Sequence, residues 1–551
     1  MIKKTYLFIS LIAFTSFSFS QDENNEEYFE ISKNLTIFSE VYKNVNMYFV
    51  DETNPGELMK TGIDAMLKSL DPYTNYIPES NIEDYRMMQS GQYGGIGSLI
   101  QKKDDYVMIT NPLENFPAQK AGLRPGDKII EIDGKSIKGK SSSEVSELLK
   151  GAKGTDVNLK IERPREKAPL TIKVTRELIK VPTVPYSNMV SEKVGYIKLT
   201  QFMGTSSSEV ASAFKKLRDS NNMEALILDL RGNPGGLLNE AVNIVNFFVP
   251  KGTKIVETKG RLKENSFVYY ARKKPLDLKI PIVVLIDKGS ASASEIVSGS
   301  LQDLDRALVI GNQSFGKGLV QQQKTMDYNS IIKITIAKYY TPSGRCIQRL
   351  DYSNRNTTGK GTNISDSLVH SFTTKNGRPV TDGRGVTPEI EVKIKNITPI
   401  SSALYRENIF FDFATQYFYD NPKITTADNF KLSDADYDKF VQFALKQDFK
   451  YSTGSEIALE RLKKVAEGEQ YYDYAKAEYD ALVEKLSPNK DRDLKKFKTE
   501  IKELLENEIV GRYYFQNGQK AHDLKSDDYV LKSIEMLTNL NEYKTILSNQ
   551  K

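Results

Sequence analysis

The chain has 551 residues, 39% of them apolar and 27% charged, which is typical of a soluble globular protein with three or four domains. Its net charge of +5 is too small to indicate a nucleic-acid partner. The single cysteine, Cys346, permits no internal disulfide, and one cysteine with two histidines argues against a zinc site. We therefore expect neither a metal nor another cofactor.

The first twenty residues have the pattern of an export signal. Lys3 and Lys4 precede a mostly apolar run over residues 6–19, and small residues lead up to Gln21. This order is typical of a secretory leader. We predict that residues 1–20 are removed and that the protein is exported to the periplasm. The apolar run is marginal for a bilayer span, so an uncleaved anchor that leaves the protein membrane-associated stays open as the alternative.

Residues 21–90 have helical periodicity. Over residues 34–49 the apolar side chains recur on one face of a helix, and residues 55–70 give a second helix that ends before Asp71 and Pro72. The sequence therefore predicts an N-terminal helical domain over residues 21–90.

Residues 91–178 combine a glycine-rich loop, alternating strands and a helix predicted over residues 142–149. The segment Ala-Gly-Leu-Arg-Pro-Gly-Asp, which ends at Asp127, lies between them. On these features residues 91–178 resemble a PDZ domain, a β-rich module. Clustered backbone N–H groups in such a loop can bind a carboxylate, and a strand edge can pair with an extended peptide.

The resemblance to PDZ domains implies a binding site for a free, apolar C-terminus of a protein substrate. Its residues would be those of the loop: Gly94, Gly95, Ile96 and Gly97. The alternative is that these glycines only form a turn.

Residues 179–395 alternate strands and helices. Strands are predicted over residues 194–199 and 225–230, with a helix over residues 206–218 capped by its first serine. The second strand leads into Asp229-Leu-Arg-Gly-Asn-Pro-Gly-Gly236, a turn before a helix predicted over residues 237–248. We expect Asp229 and the arginine two residues later to form a structural ion pair.

The stretch at residues 281–321 carries the chemistry. Residues 282–286 are too short and too β-branched for a lone helix, which indicates a buried strand. A tight turn and the run Ser290-Ala-Ser292-Ala-Ser294-Glu295 then indicate a helix start. Strand, turn and helix start expose a nucleophile at a helix N-terminus, where free N–H groups favour negative charge. The residues alone do not rank the three serines.

A serine nucleophile needs a base, and the chain has only two histidines. His522 lies in a charged, helical tail, and His370 lies in a polar, loop-like stretch and stays open as a base. Lys317, flanked by glycines that let the backbone approach another segment, is the alternative. Serine–lysine pairs are an established arrangement, provided that the lysine pKa is lowered. If residues 315–321 are extended, Gln321 shares a face with Lys317 and could orient its amine.

Four segments together resemble the carboxy-terminal processing peptidases, which are tail-specific serine proteases. They are the Asp229 turn, the segment that runs from Gly289 to Glu295, Leu-Gln-Asp303, and Phe-Gly-Lys-Gly-Leu-Val-Gln321. The resemblance implies an α/β multidomain protein with a crotonase-like spiral ββα catalytic core between helical ends.

The resemblance also implies the roles of the site residues. Ser292 would be the nucleophile, Lys317 the base and Gln321 the third residue. Gly235 or Gly236 and Ala293 would donate the N–H groups of an oxyanion hole. Asp303 lies near the far end of the helix and is expected to have only a supporting role.

One position departs from the family. Relatives have an arginine before the Gly-x-x-Gly-Thr element that helps to couple ligand binding to the active site, and here Lys150 holds that place. Because arginine and lysine differ in hydrogen-bond geometry, the same coupling is not assumed.

Two further segments complete the chain. Residues 353–383 are polar and are predicted to form an inserted loop. Residues 396–551 have helical spacing, for example over residues 457–465 and 493–505, and are predicted to be a C-terminal helical domain. Either helical end could support a homodimer or bind an adaptor.

The sequence therefore predicts an exported serine endopeptidase that recognises the C-terminal tails of its substrates. Two alternatives stay open. One is a non-catalytic PDZ scaffold, and the other is an acyl-thioester enzyme, since related spiral folds also use paired N–H donors.

Overall fold

The computed structural model describes residues 5–82, 85, 91–356 and 359–549, and for residues 5–26 it describes the backbone alone. The helices are α1 Thr5–Tyr48, α2 Pro55–Lys68, α3 Pro117–Lys120, α4 Ser142–Leu149, α5 Ser206–Asn221, α6 Leu238–Asn246, α7 Ala293–Asp303, α8 Pro399–Arg406, α9 Ile409–Asp420, α10 Asp434–Leu445, α11 Gly454–Gly468, α12 Lys476–Leu486, α13 Lys490–Lys496, α14 Lys498–Asp523, α15 Asp528–Thr538 and α16 Leu540–Ser548.

The strands complete the element order. They are β1 Asn75–Ile77, β2 Gln92–Gly95, β3 Ser98–Lys103, β4 Tyr106–Pro112, β5 Lys128–Ile132, β6 Lys135–Ser136, β7 Asp156–Glu162, β8 Leu170–Thr175, β9 Glu177–Lys180, β10 Tyr186–Met189, β11 Val194–Lys198, β12 Ala225–Asp229, β13 Lys254–Gly260, β14 Phe267–Tyr270, β15 Ile282–Ile286, β16 Leu308–Gly311, β17 Leu319–Thr325, β18 Ile331–Tyr340, β19 Leu350–Arg355, β20 Gly361–Asn363, β21 Ser371–Thr373, β22 Pro379–Thr381 and β23 Ile390–Glu391.

The chain divides into two compact units. The first comprises the described residues up to Ile82 together with residues 321–335, and the second comprises the remaining described residues. In the first unit, β1 pairs antiparallel with the first residues of β18, with Asn75 opposite Lys333. The Asp71 carboxylate accepts from Thr74 N at 2.8 Å and thereby holds the turn that leads from α2 into β1.

The N-terminal prediction is partly outside the described residues. Residues 1–4 of the predicted leader and residues 83–84 and 86–90 of the helical domain are not described. The helix predicted over residues 34–49 is the end of α1, and the helix predicted over residues 55–70 is α2, which ends at Lys68. Of the helices in the described part of the chain, none has the length and hydropathy that a membrane span requires.

A six-stranded sheet is the centre of the second unit, in the order β10-β11-β12-β15-β16-β23. Within this sheet each neighbouring pair among β11, β12, β15, β16 and β23 is parallel, and β10 is antiparallel to β11. Strands β12 and β15 are buried at every residue, which agrees with their continuous apolar sequences. One face packs against α5, α6 and α7 through a large core (Leu226, Leu228, Ile282, Val284, Phe214, Ile244, Val297 and neighbours).

The last two helices cover the other face of this sheet. Apolar side chains of α15 and α16 pack against the alternate residues of the same strands (Val530, Met536, Leu537, Tyr543 and Leu547 against Tyr196, Ile227, Val283, Leu285 and Ile310). Helices α8 to α10, α13 and α14, in contrast, form a separate core around Phe410, Phe440 and Ile509. The range predicted as one C-terminal domain, residues 396–551, therefore contributes to two cores.

Residues 91–178 form a small β-rich unit. Its sheet has the order β3-β4-β5-β7-β8, and β6 pairs with β5. The sheet and α4 enclose an apolar core around Ile109, Ile129 and Val145. Strands β2 and β9 pair antiparallel as a separate two-stranded ribbon. The mixed architecture, with helices at both ends of the chain, confirms the predicted fold class.

Three local predictions are wrong. The serine expected to cap α5 is its first helical residue, because Thr205 holds the cap position and Ser206 Oγ instead donates to Gln201 O at 3.0 Å. Residues 353–383 are not an irregular loop, since the described part contains the β19–β20 and β21–β22 pairs, whose short polar strands show no alternation of apolar residues. The helix predicted over residues 493–505 is interrupted at Phe497.

Candidate active site

Two turns meet at the carboxyl edge of the central sheet. Residues 231–236, the glycine turn, follow β12, and residues 287–292, the serine turn, follow β15. Since β12 and β15 are parallel neighbours, both turns emerge at the same edge. Asp287 Oδ1 joins them, because it accepts from Gly232 N at 2.8 Å and from Gly289 N at 2.9 Å.

Asn233 is a second link between the turns. Its backbone carbonyl accepts from Ala291 N at 3.0 Å and from Ser294 Oγ at 2.9 Å. Its side chain is fully buried and donates to Leu199 O at 2.9 Å. The glycine turn is thus fixed to the sheet on one side and to the serine turn on the other.

The structure distinguishes the three serines that the sequence could not rank. Ser290 and Ser294 are fully buried, and their hydroxyls donate to Leu230 O and Asn233 O at 2.8 Å and 2.9 Å. Ser292 is half-buried and lies directly before the first residue of α7. Its hydroxyl is therefore the one of the three that a substrate can reach.

The backbone of Ser292 is strained. Its φ is +55° and its ψ is −110°, a conformation that a non-glycine residue rarely adopts and that costs about 1–3 kcal/mol. The neighbouring structure fixes this conformation, because Tyr339 Oη donates to Ser292 O at 3.1 Å and Ser292 N donates to Glu295 at 2.7 Å. Such strain is concentrated at active sites.

Glu295 connects the serine turn to the segment that carries Lys317. Its Oε2 accepts from Ser292 N at 2.7 Å and from Lys317 N at 2.9 Å, so these two nitrogens lie no farther apart than the sum of those distances. Its Oε1 accepts from Ser314 Oγ at 2.5 Å and from Gly316 N at 2.7 Å. Burial raises the pKa of the Glu295 carboxyl, and the four donors limit that rise.

Lys317 is half-buried and lies in a loop. The extended segment considered for residues 315–321 begins only at Leu319, because Gly316 has a φ of +84° and breaks the alternation of side chains. A Cβ at Gly316 would lie 2.5 Å from Arg349 Cβ, so the backbone approaches its neighbour closely here, as the flanking glycines predict.

The remaining candidates for orienting residue and base are Gln321 and His370. Gln321 belongs to the first unit, where its Nε2 donates to Thr335 Oγ1 at 3.2 Å, and its role beside Lys317 stays a prediction. His370 is exposed and pairs with Asp382. No hydrogen bond described for His370 runs to the serine turn.

The N–H groups predicted for an oxyanion hole differ in availability. Gly235 N donates to Asn233 Oδ1 at 2.9 Å and is therefore occupied. No acceptor among the described residues is found for Gly236 N, and Ala293 N, at the start of α7, has no acceptor in its own helix. The geometry thus favours Gly236 over Gly235 as the donor beside Ala293.

Gly235 nevertheless lies against the serine turn. A Cβ at this position would lie 2.7 Å from Ala291 O, and 2.9 Å from both Ala293 N and Ser292 Cβ. Only glycine allows such an approach. The positive φ of Gly235, +98°, is a second reason for glycine at this position.

Asp303 lies at the other end of α7. It pairs with Arg345 at 2.8 Å and accepts from Ser343 Oγ at 2.6 Å, so it fixes the helix to a neighbouring loop. Cys346 follows in that loop, and burial raises the pKa of its thiol.

The glycine-rich loop of the β-rich unit is tightly enclosed. Gly94 and Gly95 lie in β2, Ile96 is buried, and Gly97 has a φ of +68°. A Cβ at Gly94 would lie 2.0 Å from Gly151 O, and one at Gly97 would lie 2.6 Å from Phe116 Cβ. The predicted loop is therefore only partly a loop: Gly94 and Gly95 pair with β9 as the end of β2, and Ile96 and Gly97 alone connect β2 to β3.

Sequence reasoning gave no role to several residues of these two sites. Arg176 donates from Nε to Leu149 O at 3.0 Å and from Nη2 to Leu148 O at 2.9 Å, which caps α4 beside the glycine-rich loop. Lys150, which the sequence places where relatives have a coupling arginine, pairs with Glu147 at 2.7 Å. Glu295 lies three residues after Ser292 at a helix start, which is the spacing of a capping box. That spacing is the local signal that predicts the contact of Glu295 with Ser292 N.

The carboxyl edge of the sheet presents one accessible serine at a helix N-terminus, close to free N–H groups. This arrangement is typical of serine hydrolases that act by acyl transfer. Comparisons with known proteins agree with this class. The pattern of peptidase family S41 matches residues 193–354, a PDZ domain matches residues 108–163, and the C-terminal helical domain of a probable PDZ-protease matches residues 400–537.

Two curated relatives are serine proteases of a more specific kind, and one solved structure is similar over part of this chain. A carboxy-terminal-processing protease of Bartonella bacilliformis is 38% identical over 356 residues, which cover 63% of this chain and 81% of the relative. A probable CtpA-like serine protease of Staphylococcus aureus is 37% identical over 316 residues, 57% of this chain and 62% of the relative. The solved photosystem II D1 C-terminal processing protease is 26% identical, with 65% of this chain and 92% of that chain covered and a TM-score of 0.35.

The chain belongs to the carboxy-terminal-processing proteases of peptidase family S41. It is a serine protease with a PDZ domain, and its family favours the catalytic prediction over the alternative of a non-catalytic PDZ scaffold.

Proposed function

We propose that Ser292 is the nucleophile and Lys317 the general base of an endopeptidase that cleaves proteins selected by their C-terminal tails. The observation that carries this proposal is the shared acceptor, since one carboxylate oxygen of Glu295 binds the backbone N–H groups of both residues. The accessibility of Ser292 beside two buried serines is independent support.

In the proposed reaction, the Lys317 amine takes the proton of the Ser292 hydroxyl while Oγ attacks the carbonyl carbon of the scissile peptide bond. Gly236 N–H and Ala293 N–H donate to the oxyanion that forms, and one such donor typically contributes about 10²–10³ in rate. The protonated amine then gives its proton to the leaving nitrogen. The same amine, neutral again, deprotonates a water that attacks the acyl carbon; the ester bond to Ser292 Oγ then breaks, and the ammonium returns its proton to Oγ as the second product leaves. Gln321 is proposed to orient the amine.

Substrate selection is assigned to the PDZ domain. We propose that the loop from Gly94 to Gly97 binds the terminal carboxylate and that an apolar last residue packs beside it. The crowding at Gly97 supports this proposal, because a loop held so closely can present its N–H groups to a carboxylate in a fixed arrangement.

Compartment and assembly are further parts of the proposal. The basic and apolar leader supports export to the periplasm, or membrane association where the leader is retained. Exposed apolar side chains on α1, such as Leu35 and Phe38, support a homodimer or adaptor contact through the N-terminal helices, and the C-terminal helices are the second candidate. Cell fractionation and the mass of the purified protein in solution test these two points.

The main experiment measures cleavage of an unfolded reporter that ends in apolar residues. The Ser292→Ala and Lys317→Ala variants should fold as the wild type does and lose cleavage, whereas Lys324→Ala, an exposed lysine on β17, should keep it. A reporter with an amidated C-terminus should show a raised KM, because it lacks the carboxylate.

Two results would contradict the assignments. Normal turnover by Lys317→Ala would remove lysine as the base and return His370 to consideration. Normal turnover by Ser292→Ala would exclude the proposed nucleophile.

A further inference from the structure

The first turn of α15 reaches the active-site edge of the catalytic sheet. Its cap residue, Asp527, accepts from Tyr529 N at 3.0 Å and from Val530 N at 3.3 Å, which is an ordinary helix cap. The same carboxylate accepts from Arg231, at 3.0 Å from Nη1 and at 2.7 Å from Nη2. Arg231 is the first residue of the glycine turn, so a residue far along the chain touches the turn that carries the proposed oxyanion donors.

Arg231 is held by two carboxylates. Besides Asp527 it binds Asp229, which is fully buried and accepts from Arg231 Nη2 at 2.7 Å and from Arg231 N at 2.8 Å. Lys198 completes the cluster, since its amine donates to Asp229 at 3.1 Å and to Arg231 O at 2.6 Å. Side-chain and backbone groups of Arg231 are therefore both fixed, and the start of the glycine turn has little freedom.

The charges of this cluster balance only when Asp527 is counted. Two acids face two bases, and all four side chains are largely buried. Burial opposes ionisation of Asp229, yet Lys198 and Arg231 lower the pKa of its carboxyl, and burial lowers the pKa of Lys198. Loss of Asp527 would leave a surplus positive charge in a poorly solvated place, and such a charge drives local rearrangement.

Tyr529 extends the contact to the other side of the serine turn. Its ring lies under the Arg231 guanidinium, with 4.7 Å between the guanidinium carbon and the ring centroid. Its hydroxyl donates to Asn312, which follows β16. Since β12 and β16 flank β15, the first turn of α15 bridges the two strand ends on either side of the strand that leads to Ser292.

We propose that Asp527, the cap residue of α15, is a positioning residue of the active site, which fixes Arg231 and thereby the glycine turn that presents Gly236 N–H to the oxyanion. This inference rests on the proposed oxyanion role of that turn. Asp527 touches neither substrate nor nucleophile, so it acts through Arg231.

The test is Asp527→Asn in the full-length protein. Asparagine caps helices as well as aspartate, so the substitution keeps α15 and removes the charge that pairs with Arg231. Asp528→Asn is the matched control, because Asp528 lies in the same turn and pairs with the exposed Lys395 instead. We expect Asp527→Asn to lower kcat by about tenfold or more and to leave KM for the tail reporter unchanged. A loss of about tenfold is a fraction of the roughly 10²–10³ that one oxyanion donor typically contributes. The kcat of Asp528→Asn should stay within about twofold of wild type.

A double-variant cycle shows whether the effect passes through Arg231. In an Arg231→Met background, Asp527→Asn should cause no further loss of kcat. An unchanged kcat in Asp527→Asn, equal losses in Asp527→Asn and Asp528→Asn, or additive losses in the cycle would each overturn the inference.

Ser292→Ala in the same assay separates this inference from the function on which it rests. An inactive Ser292→Ala with a fully active Asp527→Asn would refute the positioning role alone. An active Ser292→Ala would refute the proposed site and the inference with it.

Discussion

Substitution of Gly235 by alanine tests how closely the two turns must approach. The added Cβ would lie 2.7 Å from Ala291 O and 2.9 Å from Ala293 N, distances that real Cβ contacts do not reach, so one turn must move. With a φ of +98° the residue also carries backbone strain of about 1–2 kcal/mol, and overpacking adds about 1–3 kcal/mol. Together these costs amount to about 2–5 kcal/mol, which is below the stability of all but the weakest proteins in the ordinary range of about 5–15 kcal/mol, so we expect the variant to stay folded.

Activity should fall much further than stability. A displacement of the reacting groups by about 1 Å costs roughly 10² in rate, and a misplaced oxyanion donor costs about 10²–10³. We therefore expect kcat of Gly235→Ala to drop by at least about 10², measured on the tail reporter beside a thermal unfolding curve.

Gly232→Ala is the matched control. Gly232 lies in the same turn with a φ of +67°, and a Cβ there meets nothing within 4 Å, so its alanine variant carries backbone strain without a clash. Its kcat should stay within a few-fold of wild type. The reasoning is wrong if Gly235→Ala retains wild-type kcat, or if Gly232→Ala loses as much activity as Gly235→Ala.

Three other expectations follow from the same structure. Glu295→Gln places an amide NH₂, which cannot accept, against backbone N–H donors. We therefore expect kcat to fall by about 10² while KM changes little. A variant with normal kcat would show that the shared acceptor is dispensable. Gly97→Ala should raise KM for the tail reporter, since its Cβ would meet Phe116 at 2.6 Å, whereas Gly122→Ala, with a positive φ and open space, should not; equal KM values in the two variants would contradict a binding role for the loop. Burial raises the pKa of the Cys346 thiol, so its thiolate fraction at pH 8 is below that of a free thiol. Alkylation of Cys346 should therefore be slower than alkylation of glutathione and should accelerate as the pH rises. Cys346→Ala should keep wild-type kcat, and a loss of turnover would give this cysteine a role.

Local sequence signals predicted the elements that position the site. Strands β12 and β15 were recognised because a strand buried on both faces must be apolar at successive positions. Helix α4 was predicted with its true bounds, since its start is fixed by the capping box of Ser141 and Glu144, which is a local interaction. Both kinds of signal lie within a few residues of the feature that they predict.

Features that depend on distant residues could not be predicted in this way. The periodicity of α15 shows that it has an apolar face, but not that this face covers the catalytic sheet instead of the helical core beside it. The choice among Ser290, Ser292 and Ser294 needs their burial, which arises from contacts with Leu230 and Asn233. The availability of Gly236 N–H instead of Gly235 N–H likewise depends on one buried side chain.

The run of small residues around Ser292 has a physical explanation in these contacts. A strained serine can be held in place only if the surrounding backbone supplies enough fixed partners, and here Asn233, Glu295 and Tyr339 each bind a different backbone group of the serine turn. Ala291 and Ala293 are themselves buried, so a larger side chain at either position would overpack its surroundings and strain those bonds. The motif is therefore a packing requirement as much as a catalytic one: Gly235 allows the two turns to approach, and the small residues beside Ser292 fit the buried space around the nucleophile.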